Sequence, residues 1–402
     1  MAGVKKSDVM ASNPFRILAA AIALVTLVGI SLSVSAPLLA LEMERWGISA
    51  GVSGMTITAA GIGTVLAAPL VPRFALRLGV PLLLGTALAV SALAMIAFYL
   101  LPGLLWWTLF RLVLGATIGV IFSLSEYWIA AAAPPARRGL VMAIYATALY
   151  AGFAAGPMLL STLGTSGLLP YLATVAIILV GFGPLLLAAR EAPRIDEQAS
   201  APVLRFVLAA PSATFAALMF GAIETAVVTL LPVHNVRLGF PEKDAALLLS
   251  AFALGNVLFQ IPIGYISDLM DRRRLLAMLA TVSTLLSATI LHVQGVGFWP
   301  FAAVLFALGG VSGAIYNIGL AHLGSRFEGA DLASANAAFV MLYSVGLMVG
   351  PPLIGFGMEI GGRFGLPLAL VAGFLAYAGL VLVRIAKAAR LAKKQGFGQF
   401  PP

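Results

Sequence analysis

The sequence predicts an all-α integral membrane protein: twelve transmembrane helices in two pseudo-symmetric six-helix bundles, with the N- and C-termini both cytoplasmic. Three observations lead there. Of 402 residues, 61% are hydrophobic and 10% charged, with a mean hydropathy of +1.05, whereas about a quarter of a soluble domain is charged. Apolar runs of about 20 residues recur, the length a helix needs to cross a bilayer, rather than the roughly ten-residue alternating segments of a barrel. Finally, Leu114-Gly115, Gly119 and Gly156-Pro157 recur as Leu308-Gly309, Gly313 and Gly350-Pro351 at a single offset of 194 residues without a gap. Such a repeat implies parallel halves related by an axis along the membrane normal.

The spans follow in order. The first, 17–41, is too long for a signal-peptide core and has no cleavage site, so it is expected to remain. The next five are 51–71, 80–101, 104–130, 140–163 and 168–188, separated by short Gly, Pro and charge clusters. Residues 190–205, with Glu191, Pro193, Arg194, Asp196, Glu197 and Pro202, form the longest polar interruption. They divide an N-terminal bundle, 1–189, from a C-terminal bundle, 206–402, whose spans are 215–233, 245–266, 275–291, 298–320, 332–354 and 366–383. A short basic tail closes the chain.

Charge fixes the expected orientation. Net charge is +9, yet 19 of the 24 Lys and Arg fall on one side if the N-terminus is inside, all but Arg45, Arg237, Lys243, Arg363 and the intramembrane Arg111. This is the positive-inside distribution, and it leaves no nucleic-acid footprint. With no cysteine, disulfides and thiolate metal sites are excluded. His234, His292 and His322 show no metal spacing and read as interfacial, as do Tyr127 and Trp128.

Several motifs resemble the major facilitator superfamily. Gly264-Tyr265-Ile266-Ser267-Asp268-Leu269-Met270-Asp271-Arg272-Arg273 resembles its loop signature, between spans eight and nine. Arg111-Leu112-Val113-Leu114-Gly115 resembles its fourth-helix motif, and Gly152 to Gly156-Pro157 its fifth-helix motif. Ser125-Glu126-Tyr127-Trp128 with Arg138-Gly139-Leu140-Val141-Met142 is similar to the bacterial YcaD-like members. The first-half loop, Pro72-Arg73-Phe74-Ala75-Leu76-Arg77-Leu78-Gly79, departs from the pattern: Leu76 stands where the family usually has Asp, and Pro72 where it has Gly. The resemblance implies a multi-pass protein of the bacterial inner membrane, a small-molecule substrate, and a central cavity lined by the first, fourth, seventh and tenth helices.

Arg111, Glu126 and Glu224 are the ionisable residues clearly inside spans. Charge at that depth costs roughly 2.5 to 3.5 kcal/mol on insertion scales and is normally kept toward a polar cavity or partner. Arg111 and Glu224 lie at similar depth and are expected to pair across the halves or to exchange a proton or substrate, while the guanidinium stays charged. Glu126 serves either the cavity or a brace to Arg73, Arg77 or Arg137. Asn317 is the favoured neutral substrate ligand; Tyr316, Asn256, Gln260, Ser31 and Ser33 are further candidates. A gating latch is expected at the cytoplasmic end, pairing Arg73 and Arg77 with Glu328 and Asp331, and Asp268 and Asp271, beside Arg272 and Arg273, with Arg137 and Arg138. Gly115, Gly152, Gly156, Pro157, Gly350 and Pro351 are expected to serve helix packing and bending.

Nothing in the sequence supports an enzyme: it carries no nucleotide loop and no metal cluster, and no cofactor is expected. The expectation is a monomeric secondary transporter, an antiporter driven by protons that exports a cationic or amphipathic compound. Uptake of a small organic anion through Arg111, and a non-transporting receptor or scaffold, are the alternatives.

Overall fold

The computed structural model describes residues 14–189, apart from 69, 133 and 135–137, and residues 204–394, apart from 328. Most of the polar linker 190–205 therefore lies outside the described residues. The first half comprises α1 (Pro14–Arg45), α2 (Ala50–Ala67), α3 (Val71–Leu78), α4 (Val80–Leu100), α5 (Leu104–Ala132), α6 (Arg138–Leu163), α7 (Leu169–Val180) and α8 (Phe182–Ala188). The second comprises α9 (Leu204–Ala209), α10 (Pro211–Arg237), α11 (Glu242–Leu269), α12 (Arg272–Val293), α13 (Phe298–Gly324), α14 (Gly329–Gly361) and α15 (Gly365–Lys394). Helix is the expected answer to a bilayer, because it satisfies its own backbone donors and acceptors. Among the described residues eleven helical stretches are long and apolar enough to cross one; the last, Ala338–Arg390, runs through both α14 and α15.

Local chemistry sets the ends. Gly79, at φ 79°, stops the short α3 and lets α4 start at once with Pro81 in its first turn. Ser49 caps α2 by accepting from Val52 N, and Asp271 caps α12 by accepting from Arg274 N at 3.0 Å. Both satisfy amide donors that a helix start leaves open. The sixth expected span is two helices, α7 and α8, parted at Gly181.

The offset of 194 holds far beyond the motifs that revealed it: α5 superposes in number on α13 and α4 on α12 to within about two residues at each end, and α6 on α14 to within four. Glycines use it structurally. A Cβ on Gly115 would lie 1.9 Å from Ala60 O, and one on its counterpart Gly309 would lie 1.9 Å from Phe252 O. Each half thus packs its fourth long helix directly against the backbone of its second.

The halves meet chiefly along α2 with α14, α6 with α11, and α1 with α10. We call the end where α1 and α10 finish the far end, and the opposite one the near end. Toward the far end, α2 and α14 lie backbone to backbone: Gly54 faces Pro351, Gly355 faces Ala50, and Thr58 Oγ1 donates to Met348 O at 2.5 Å.

Candidate functional site

Glu224 is held midway along α10, about 20 Å from the far end at ~1.5 Å per residue. It lines a narrow cavity of about 20 Å³ between the halves, with Ser33 from α1, Tyr150 and Phe153 from α6, and Phe252 and Asn256 from α11. Its Oε2 accepts from the Tyr343 hydroxyl at 3.2 Å. Behind it, inside the second half, a further cavity of about 10 Å³ is lined by Phe220, Ser312 and Phe374, and again by Glu224 and Phe252. Glu224 is the charged residue in both walls, and no lining residue is basic.

Glu126 sits about 13 Å nearer the near end than Glu224, at the same helical rise. Its Oε1 accepts from the Tyr145 hydroxyl at 2.8 Å. No ion pair links it to Arg73 or Arg77, which are exposed; Arg137, the remaining expected brace, lies outside the described residues. Glu126 is itself exposed, and Tyr316 of the opposite half lies within electrostatic reach of both Glu126 and Glu224. The surface that Glu126 presents is therefore the gap between the halves.

Aromatic rings join the two carboxylate levels. Tyr316 packs on Phe220, Tyr343 and Phe339 with centroids at 5.2, 5.6 and 4.9 Å. Beside them runs a chain of amides: Asn317 donates to Gln260 Oε1, and Gln260 Nε2 donates to Asn256 Oδ1 at 2.6 Å. Asn317 thus reaches the cavity wall through two neighbours. Ser33 donates to Ile30 O at 3.1 Å and approaches Gly152 O at 3.4 Å. Ser31 bonds its own helix at Leu27 O and lines a separate cavity inside the first half.

Arg111 departs from expectation. It is 5% exposed, and neither Nε nor Nη2 finds an acceptor. No ion pair joins it to Glu224, which bonds Tyr343 instead. The reason is angular: Trp107, Arg111, Leu114, Ile121 and Trp128 share one buried face of α5, directed into the first half's own core. Similar depth on two helices does not make their side chains meet. The aromatic anchor expected at Trp128 is likewise core, 1% exposed. His234, expected at an interface, is buried and bonds Gln294 at 3.0 Å.

Ion pairs between the halves stand at the far end, where none was expected. Arg237 holds Glu44 across the halves at 2.7 Å and Glu359 of its own half at 3.1 Å. Arg45 pairs with Glu242 and donates to Thr165 O at 2.8 Å. Glu359 also accepts from Ala50 N at 2.9 Å. The cavity is closed on that side. At the near end, Asp268 is largely exposed and pairs with Arg272 of its own loop at 3.5 Å, while Asp271 is spent on the α12 cap. The expected latch partners Arg137 and Glu328, and the side chains of Arg138 and Asp331, lie outside the described residues. Among the described residues no ion pair crosses the halves at the near end.

The far-end network had a sequence signal that was missed: Glu42, Glu44 and Arg45 end one helix, and Arg237, Glu242 and Lys243 bracket the equivalent turn of the other half. Tyr145, Tyr150 and Tyr343 had little signal, since an aromatic inside a span is ordinarily packing.

Comparison with known proteins agrees with this architecture. The profile of the Major Facilitator Superfamily matches residues 21–248 and 213–400. The chain is 27% identical to the uncharacterized MFS-type transporter YfkF of Bacillus subtilis, over 84% of this chain and 87% of the relative. It is 24% identical to the uncharacterized MFS-type transporter YcaD of Escherichia coli, over 87% and 90%. Among solved structures, a bacterial homolog of the human lysosomal transporter Spinster, inward-facing and unoccupied, aligns with TM-score 0.69 at 15% identity, covering 92% of this chain and 97% of that one. A D-xylose-proton symporter aligns with TM-score 0.69 at 16% identity, covering 90% and 97%. At these identities the structures share the fold.

Proposed function

The chain belongs to the Major Facilitator Superfamily, and on that premise we propose a secondary transporter that exports a small organic cation across the bacterial inner membrane in exchange for protons. In this reading twelve helices cross the bilayer, the termini are cytoplasmic, and the far end is the outer face, as the Lys and Arg asymmetry requires. The observation that carries the reading is Glu224, a carboxylate in the wall of an interdomain cavity whose lining contains no basic residue. In a low-dielectric site a lone carboxylate favours a cation or a proton, and the two compete for it.

Alternating access follows from which end is tied. With the outer ion pairs made, Glu224 and Glu126 communicate with the cytoplasm; a cation loads by displacing the proton from Glu224. Breaking the Arg237 and Arg45 contacts and closing the inner latch turns the site outward, where the higher proton concentration displaces the cation. Arg111 is assigned a conformational part: lacking an acceptor in this state, it raises this state's energy and favours one in which it gains a partner. Asn317 orients the substrate through Gln260 and Asn256. The transporter works as a monomer.

The test is reconstitution. In liposomes with an imposed pH gradient, ethidium should be driven against its concentration gradient by wild type. If no panel of cations moves under any gradient, transport of cations is wrong; a non-transporting receptor would behave so.

A further inference from the structure

We propose that the near end of the seam between α12 and α15 holds an anionic phospholipid by its headgroup phosphate. The inference is independent of what the transporter carries. α12 and α15 pack side by side and are tied at the far end, where Gln294 Nε2 donates to Arg363 O at 3.0 Å. Each presents an exposed apolar stripe at helical spacing. On α12 the stripe runs through Leu285 and Met278 and ends on Arg274, one turn further and also exposed. On α15 it runs through Leu375 and Val383 and ends on Lys387 and Arg390, both exposed. Exposed apolar surface of this kind meets acyl chains in a bilayer. Both stripes therefore lead a lipid's chains up to a pair of helices that end in cations.

Height and charge place the headgroup. Counting ~1.5 Å per residue from the far-end tie, Lys387 lies about 6 Å beyond the level of Arg274, and Arg390 about 10 Å beyond it. The headgroup layer is about 5 to 8 Å deep on each side of the hydrocarbon, and long basic side chains bend back toward the interface. All three cations thus come within reach of that layer. The neighbouring carboxylates are engaged elsewhere: Asp268 pairs with Arg272, and Asp271 caps α12. Arg272 itself is turned to α13, where it donates to Ala321 O at 3.3 Å. Among the described residues no ion pair engages Arg274, Lys387 or Arg390. A phosphate diester between the two helices supplies the missing negative charge, as anionic headgroups do at basic clusters between membrane helices. An ethanolamine headgroup brings an ammonium that the same cations repel, whereas a glycerol headgroup brings none.

Native mass spectrometry of the purified full-length protein tests the site, with phosphatidylglycerol and phosphatidylethanolamine of identical chains titrated separately. Each cation near a membrane surface is worth about fivefold in binding. The one-to-one complex with phosphatidylglycerol should accordingly form at concentrations at least about tenfold lower than that with phosphatidylethanolamine. Arg274→Gln combined with Lys387→Gln and Arg390→Gln should reduce the preference to within about twofold. Should that variant fail to fold, Lys387→Glu alone should lower the preference at least about fivefold. Arg73→Gln with Arg77→Gln, at exposed cations of α3 away from the seam, should leave it unchanged. Equal binding of the two lipids by wild type, or a preference that survives the seam substitutions, overturns the proposal. So does an equal loss in the α3 variant, which would mark attraction to overall charge and not to this seam.

Discussion

A guanidinium that is 5% exposed and has two nitrogens without an acceptor is a cost that this conformation carries. Arg111→Met replaces it with an apolar side chain of similar length on a face otherwise made of Trp107, Leu114 and Ile121. By the logic of buried unpaired charge, the variant should melt higher, by about 2 °C or more, while its turnover falls because the far-end-closed state becomes too stable. A lower melting point in detergent would mean that Arg111 is satisfied in a way its surroundings do not indicate. The sequence made Arg111 conspicuous, because charge in an apolar run is rare, and it made Glu224 conspicuous for the same reason. Which of the two faces the cavity was not legible: depth can be counted along one helix, but the face a residue presents depends on rotations fixed by packing against neighbouring helices. The tyrosines that bond Glu126 and Glu224 were hidden for a related reason, since a ring inside a span earns no penalty that marks it.

Helices carry the repeat, and glycine carries the helices. With Ala60 O or Phe252 O 1.9 Å from a would-be Cβ, Gly115→Ala and Gly309→Ala should each destabilise by about 1 to 3 kcal/mol, as overpacking does. Gly264→Ala, where a Cβ meets nothing within 4 Å, should be neutral or mildly stabilising by about 0.4 to 1 kcal/mol. Thermal denaturation of the three variants distinguishes close backbone approach from general intolerance of helix glycines, which would lower all three alike. The spans themselves were readable because each apolar run is longer than any soluble helix requires. The break at Gly181 was not, because the segments on either side of it are equally apolar and only packing reveals the interruption.

At the scale of the whole protein, ion pairs tie the halves at the far end. The far-end pairs Arg237 with Glu44 and Arg45 with Glu242 are partly exposed, so each contributes at most about 1 kcal/mol. That weakness suits contacts which must break in every cycle. With no native cysteine, Thr58→Cys with Met348→Cys is a clean pair across α2 and α14, whose native residues touch at 2.5 Å. Oxidising it should stop export and reduction should restore it; export that continues with the link formed would show that α2 and α14 need not part. The latch at the other end is tested by Asp331→Lys with Ser33→Cys in the cavity: a cytoplasm-side thiol reagent should label the cavity faster when Asp331 is reversed, and an unchanged rate would remove the latch. Charge complementarity was legible at both ends of the bundle, and the structure shows it engaged at the far end.

The central claim is that the proton and the cation share Glu224. In liposomes, Glu224→Gln should lose accumulation of benzyltrimethylammonium driven by a pH gradient, because the amide at the shared site can neither bind nor release the proton. Wild type should accumulate it in proportion to the gradient, up to about tenfold per pH unit for one proton exchanged without a membrane potential. Gradient-driven accumulation by Glu224→Gln equal to that of wild type would contradict the account.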